Sequence, residues 1–198
     1  MNRTSYTDRK VGTIKALSIA AGISAACALM PSMAMAQCTG AGNLVANGGF
    51  ETGNFTNWTV AWPPDADPFT TVSPTDPHSG NFAARLGPVS GENSLSQVIS
   101  GTTAGSVYTV CFWLEHDSNS GSANNSFEVR WDGLPVLTLV NSLGFDYTLY
   151  EFTVRATGAD TLRFDAQEVP AFWNLDDVGV FPGGPTPFAL VSGAPTKK

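Results

Sequence analysis

Three carboxylates open the chemical reading of this chain. Glu51 closes Asn47-Gly-Gly-Phe-Glu51, and Asp176 and Asp177 stand side by side near the other end. Hard oxygen donors of this kind, joined by backbone carbonyls, suit calcium in a stabilising rather than a catalytic role. They equally suit the plainer task of satisfying turn backbone without a metal. A second chemistry lies in the five tryptophans. The apolar C–H face of a sugar ring stacks on an indole, while neighbouring amides, carboxylates and guanidinium groups hydrogen-bond its hydroxyls. Trp113 and Glu115 lie opposite the Val110, Phe112 and Leu114 stripe, Glu128 and Arg130 opposite Phe127 and Val129, and Arg163 shares a parity with Asp165. Trp62 sits in the proline-rich Ala61-Trp-Pro-Pro-Asp65, where an indole has little structural excuse. The residues expected to line a glycan groove are Trp62, Gln97, Trp113, Glu115, Arg130 and Arg163. A solvated sheet face laced with ion pairs, each worth ~0–1 kcal/mol, has the same pattern. Trp58 and Trp131 read as core, and Trp173 fits either role.

Catalysis finds no motif. The two histidines, His78 and His116, belong to no His-Glu-x-x-His, and the chain has no Gly-x-Ser-x-Gly and no Cys/His ligand spacing. Asn47-Gly-Gly-Phe50 and Gly101-Thr-Thr-Ala-Gly105 lack the strand-turn-helix setting of a phosphate loop. Glu115, Glu128 and Asp165 leave open a carboxylate pair at glycosidase separation, as any acidic β protein does. An enzyme is not expected. The sequons at Asn54 and Asn57 overlap a framework segment and are read as chance.

The elements that would position these residues are strands. Tyr108, Val110, Phe112 and Leu114 alternate with Thr109, Cys111, Trp113 and Glu115, and Phe127, Val129 and Trp131 repeat the period of two. Short runs follow at 95–99, 136–140, 149–155 and 161–165, with turn clusters between them. No sustained helical period occurs beyond the N-terminal segment. Many short strands with Gly, Ser and Asn turns argue for an antiparallel sandwich.

Residues 1–36 read as an export signal: Arg3, Arg9, Lys10 and Lys15, then an apolar run from Ala16 to Met30, then Ala34-Met-Ala36 as cleavage site. The run falls short of the ~20 residues needed to span a bilayer, and Pro31 ends it, so no membrane anchor is expected. A secreted protein, periplasmic or extracellular, is expected instead. That segment carries four basic residues against one acidic, Asp8, so its loss takes the formal charge from −7 to −10. An acidic chain without basic stretches repels a phosphate backbone, which excludes nucleic acid as a partner. The remainder, about 160 residues, is one domain large enough to bury its own core. Cys27 falls in the signal, which leaves Cys38 and Cys111 as an even pair for a disulfide in an oxidising compartment. Two unpaired thiols, with Cys111 buried as a small hydrophobe, are the alternative.

Asn43-Leu-Val-Ala-Asn-Gly-Gly-Phe-Glu-Thr-Gly-Asn-Phe-Thr-Asn-Trp58 and Phe172-Trp-Asn-Leu-Asp-Asp-Val-Gly-Val180 resemble the first and last strands of secreted carbohydrate-binding modules of the family 4, 9 and 22 type. The resemblance implies an all-β fold, an antiparallel jelly-roll sandwich of the galactose-binding-like class, over residues 43–181. Residues 37–42 then form an N-terminal tail and 182–198 a loose C-terminal one. It further implies a non-catalytic domain whose partner is a poly- or oligosaccharide. In such modules the equivalents of Glu51 and one carboxylate of the Asp pair hold a structural calcium with the loop after the second strand. Here that loop runs from Asp76 to Asn81, adding Asn81 to the expected ligands. Strand neighbours point to opposite faces, so one of Asp176 and Asp177 is expected to bind, and the sequence leaves open which. The alternative to sugar binding is a structural or adhesive extracellular or envelope protein on the same fold. An open Trp113 face would favour glycan, and one filled by a loop from Phe145 to Tyr150 would favour structure.

Overall fold

The computed structural model describes residues 38–61, 69–89, 91–117 and 124–184. The expected signal, Trp62 and the end of the C-terminal tail lie outside them. Ten strands follow one another: β1 (Thr59–Ala61), β2 (Thr70–Ser73), β3 (Ala83–Leu86), β4 (Asn93–Ile99) and β5 (Val107–His116). The second half adds β6 (Ser126–Trp131), β7 (Leu134–Val140), β8 (Phe145–Arg155), β9 (Asp160–Gln167) and β10 (Trp173–Pro182). They form two five-stranded sheets. One is ordered β1-β4-β9-β6-β7 and the other β2-β3-β10-β5-β8, with antiparallel pairing throughout.

The period of two explains why these segments pair as they do. Val110, Phe112 and Leu114 on β5, Phe127, Val129 and Trp131 on β6, and Leu162 and Phe164 on β9 are all buried. Rings from the two sheets meet between them: Phe112 lies 5.2 Å from Phe164, and Phe127 lies 5.3 Å from Trp173. Trp58 and Trp131 are core as expected, and Trp173 joins them with no exposed surface. Asp132 and Gly133 turn the β6–β7 hairpin with φ of 49° and 78°, the left-handed pair that a two-residue turn requires.

Two segments differ from the sequence reading. Residues from Phe145 to Tyr150, expected as a loop, begin β8 and pair with β5, Phe145 opposite His116 and Tyr150 opposite Phe112. The ladder slips between Leu114 and His116 as this segment pairs. The second difference is in β10, where the register shifts between Asp176 and Gly179 and Asp177 takes a φ of 52°. A bulge there breaks strand alternation.

The 38–58 segment is framework. Asn43 accepts from Val180 N at 3.0 Å and donates to Val178 O at 3.0 Å, and Leu44 N bonds Val180 O at 2.9 Å, so this stretch pairs with β10 where β3 stops. Gly48 approaches so closely that a Cβ on it would sit 2.0 Å from Val178 O. Trp58 stacks on Phe50 with centroids 5.6 Å apart and donates its indole N–H to Asn47 O. Cys38 and Cys111 form a disulfide across 73 residues of sequence. It fastens the tail expected at 37–42 to the middle of β5 and removes ~4 kcal/mol worth of loop entropy from the unfolded chain.

Candidate functional site

The expected groove residues do not share a face. Trp113 and Glu115 lie on the outer surface of the sheet containing β5, and Arg130 and Arg163 lie on the outer surface of the opposite sheet. Gln97 has the inward parity of Leu95 and Ile99 and is buried. Its amide accepts from Ala46 N at 2.8 Å and donates to Ala46 O at 2.9 Å, so it tethers the N-terminal segment and offers nothing to a ligand. The polar residue type suggested a binding role that its parity did not support.

Arg130 and Arg163 stand directly opposite one another, as do Glu128 and Asp165. Asp165, 3% exposed, accepts from Arg130 Nε at 3.2 Å and from Arg163 Nε at 2.6 Å, and Arg130 also pairs with Glu128. Facing guanidinium groups repel, and the buried carboxylate between them removes that cost. Here the ion-pair alternative holds. Glu128 and Asp165 are also separated from Glu115 by the whole sandwich, so the three carboxylates considered for hydrolysis do not face one substrate.

The other outer face is built differently. Trp113 is half-buried, and its indole is covered by the His78 ring, 3.9 Å away and 15° from parallel. A loop does close over Trp113, but it is the one bearing His78 rather than the segment from Phe145. The β10 bulge explains how that loop is held. Asp176 Oδ2 accepts from the N–H groups of His78 and Ser79 at 2.9 and 3.0 Å. Asp177 lies 2.6 Å from His78 Nδ1 and accepts from Ser79 Oγ at 2.7 Å. Both carboxylates therefore turn to the same loop, because the bulge breaks the alternation that would send strand neighbours to opposite faces.

Glu51 grips the next part of that loop. Its oxygens accept from Asn81 N at 2.9 Å, Phe82 N at 3.1 Å and Asn81 Nδ2 at 3.2 Å. Burial pushes the Glu51 carboxyl up, and these donors more than reverse it, leaving it lowered. Burial raises the Asp176 carboxyl to about 7; the Ser79, Asp177 and His78 amides oppose this and the charge of Asp177 adds to it. Among the described residues no three His, Cys, Asp or Glu side chains converge as a metal-holding group. The missing side chain of Gly49 nevertheless leaves space between them: a Cβ there would lie 3.7 Å from Asp177 Oδ1, 3.8 Å from Asp176 Oδ1 and 3.8 Å from Glu51 Cγ.

Beside the Trp113–His78 stack lies an open depression of 340 Å³ lined by Asp76, Pro77, Glu115, Asp146 and Tyr147. Tyr147 donates its hydroxyl to Asp76 O at 2.8 Å, and its ring stands 5.1 Å from His78. Burial raises the Glu115 carboxyl; Asn174 opposes this, and the charges of Asp76, Asp117 and Asp146 add to it. Burial also raises the Tyr147 hydroxyl, helped by Asp176, Glu115, Asp76 and Asp177. Tyr147, Asp76, His78 and Asn174 were not singled out as ligand contacts. The alternation of Phe145 and Tyr147 with Asp146 was the signal available for the first of them.

No protein-family model matches this chain, and no curated protein sequence does. Solved structures do. TmCBM61, a carbohydrate-binding module seen in complex with β-1,4-galactotriose, is 22% identical, with a TM-score of 0.55 over 71% of this chain and 99% of that one. The enzymatically active domain of tailspike protein 4 of bacteriophage CBA120 is 18% identical, with a TM-score of 0.51; the match takes 72% of this chain and only 22% of that one. The K3 cleaved adhesin domain of Lys-gingipain from Porphyromonas gingivalis W83 is 19% identical, with a TM-score of 0.50 over 69% of this chain and 98% of that one. At such identities the likeness is one of fold, an antiparallel β-sandwich that a carbohydrate-binding module, a tailspike domain and an adhesin domain share.

Proposed function

We propose that this chain is a secreted, non-catalytic carbohydrate-binding domain that takes its glycan in the depression between the 76–79 loop and β8. The observation that carries the reading is the composition of that depression. Tyr147 offers a ring to an apolar sugar face, and Asp76, Glu115 and Asp146 offer acceptors to its hydroxyls. The likeness in fold to a module that binds a galactotriose is in keeping with it. Export is supported by the signal-like N-terminus and by a disulfide of the kind that persists in oxidising compartments. Absence of catalysis is supported by the lack of a catalytic motif in the sequence.

Calcium belongs to the same proposal. Glu51, Asp176 and Asp177, with Asn81 beside them, would hold the ion at the space left by Gly49, and its charge would offset the buried carboxylates. Chelation is then expected to lower Tm, and calcium to restore it; an unchanged transition in metal-stripped protein removes the ion. The adhesive reading is favoured by the likeness to an adhesin domain and by the covering of Trp113. Affinity electrophoresis through gels holding neutral and charged polysaccharides separates the two. Retardation by one polysaccharide supports glycan binding, and free migration through all of them favours the adhesive protein.

A further inference from the structure

One pair of titratable side chains is buried apart from the candidate site. His116 ends β5 in one sheet, Glu168 follows β9 of the other, and neither side chain has any exposed surface. The two meet at 2.6 Å, His116 Nε2 to Glu168 Oε2. The imidazole stacks on Trp173 at 3.7 Å and 12° from parallel, with the Phe145 ring 6.0 Å away. Its Nδ1 lies 3.3 Å from Leu143 O, and a carbonyl only accepts, so Nδ1 carries a hydrogen. Glu168 Oε1 accepts from Ala171 N at 3.4 Å.

Counting protons shows what the pair tolerates. One proton lies between Nε2 and Oε2, and whichever atom holds it the pair has no net charge. A second proton would set an imidazolium beside a neutral carboxyl, and loss of the one would turn a carboxylate towards an imidazole lone pair. Each change places a net charge where water does not reach, against Trp173 and Phe145. The other charged groups on the elements packed here face elsewhere. On β5, Glu115 is bonded to Asn174, and Asp117 just beyond its end lies 4.0 Å from Arg85 Nη2. On β8, Asp146 lines the outer depression, and Glu151 and Arg155 stand at the far end, opposite Cys111 and Val107. On β10, Asp176 and Asp177 are turned to the 76–79 loop. The pair also sits on a connection between the sheets, since the 168–172 segment is held by Glu168 N to Pro88 O at 3.1 Å and Asp117 N to Phe172 O at 3.0 Å.

We propose that His116 and Glu168 form a one-proton clasp, and that the 168–172 connection opens locally when pH adds a second proton or removes the one held. The inference is independent of the glycan-binding reading.

The test is amide hydrogen exchange of the protein, read by NMR and corrected for the intrinsic pH dependence of exchange. Protection of the Asp117, Glu168 and Ala171 amides is expected to fall about tenfold or more towards both about pH 4 and about pH 9, while Val129 and Phe164 in the core strands stay protected. Glu168→Gln donates its amide to Nε2 and shares no proton. In that variant the alkaline fall is expected to vanish and the acid fall to remain, because the ring still gains a proton. Asp176 is untouched by the change, so its own titration does not produce the difference. Flat protection in the wild-type protein, an equal fall at Val129 and Phe164, or an alkaline fall unchanged in Glu168→Gln overturns the inference. Should the variant not fold, the wild-type profile decides alone.

Discussion

The two outer faces of this sandwich both carry charged side chains and use them in opposite ways. On the β4-β9-β6 face, Asp165 lies between Arg130 and Arg163, and Glu128 pairs with Arg130, so charge is cancelled within the face. On the β10-β5-β8 face, Asp76, Glu115, Asp146, Asp176 and Asp177 gather around Tyr147, and the nearby arginine is turned to Phe172 and Asp117. A face that neutralises itself contributes to stability. The other meets its carboxylates with loop amides, a hydroxyl and an imidazole rather than with guanidinium groups, so a proton or an ion has more to offset there.

The largest expected effect follows from Asp176. Its carboxyl stands at about 7 in the fold against an ordinary 3.8. A value raised by folding means that the stabilising contribution is fully present below the ordinary value and is lost as pH rises through about 7. A rise from 3.8 to about 7 corresponds to ~4 kcal/mol. Chelated protein is therefore expected to melt higher at pH 5 than at pH 8, and calcium to narrow the gap. A flat Tm across that range in chelator would show that this face carries no uncompensated charge and would dissolve the contrast.

Next comes Asp165→Ala, expected to cost ~2 kcal/mol because it sets two guanidinium groups opposite each other without their shared acceptor. Urea unfolding measures this, and sugar affinity should stay unchanged. Tyr147→Ala reverses the pattern: about a tenfold loss of affinity, ~1.4 kcal/mol, with the far-UV spectrum preserved. If Asp165→Ala weakened binding and Tyr147→Ala did not, the roles assigned to the two faces would have to be exchanged.

Much of the architecture was readable from the chain because burial enforces a period of two. Phe112, Phe127, Val129 and Trp131 all face the core, and the count of cysteines outside the expected signal paired Cys38 with Cys111. The site was readable only in part. Trp113 and Glu115 were placed on one outer face, where they lie, whereas Gln97 turns inward and Arg130 and Arg163 lie on the other sheet. Parity within a strand says which side a residue takes; it does not say which of two sheets the strand joins. The Asp176–Asp177 bulge escaped for a related reason, since strand alternation is a rule for regular backbone and a φ of 52° breaks it locally. His78 and Tyr147 come from distant segments, and only tertiary structure brings their rings within 5.1 Å.

The smallest expected effect is the most discriminating about the neutral face. Arg163 is 49% exposed in its side chain and makes one bond, Nε to Asp165 Oδ1 at 2.6 Å. An exposed ion pair of this sort is worth ~0–1 kcal/mol after solvent screening and side-chain entropy. Its removal also relieves the repulsion across the register from Arg130, and Asp165 keeps the Arg130 Nε bond. Arg163→Ala is thus expected to shift the urea midpoint by less than ~1 kcal/mol equivalent and to leave affinity for every glycan unchanged. A drop in affinity with stability intact would make Arg163 a ligand contact after all, and would place a second binding surface on the face that now looks closed upon itself.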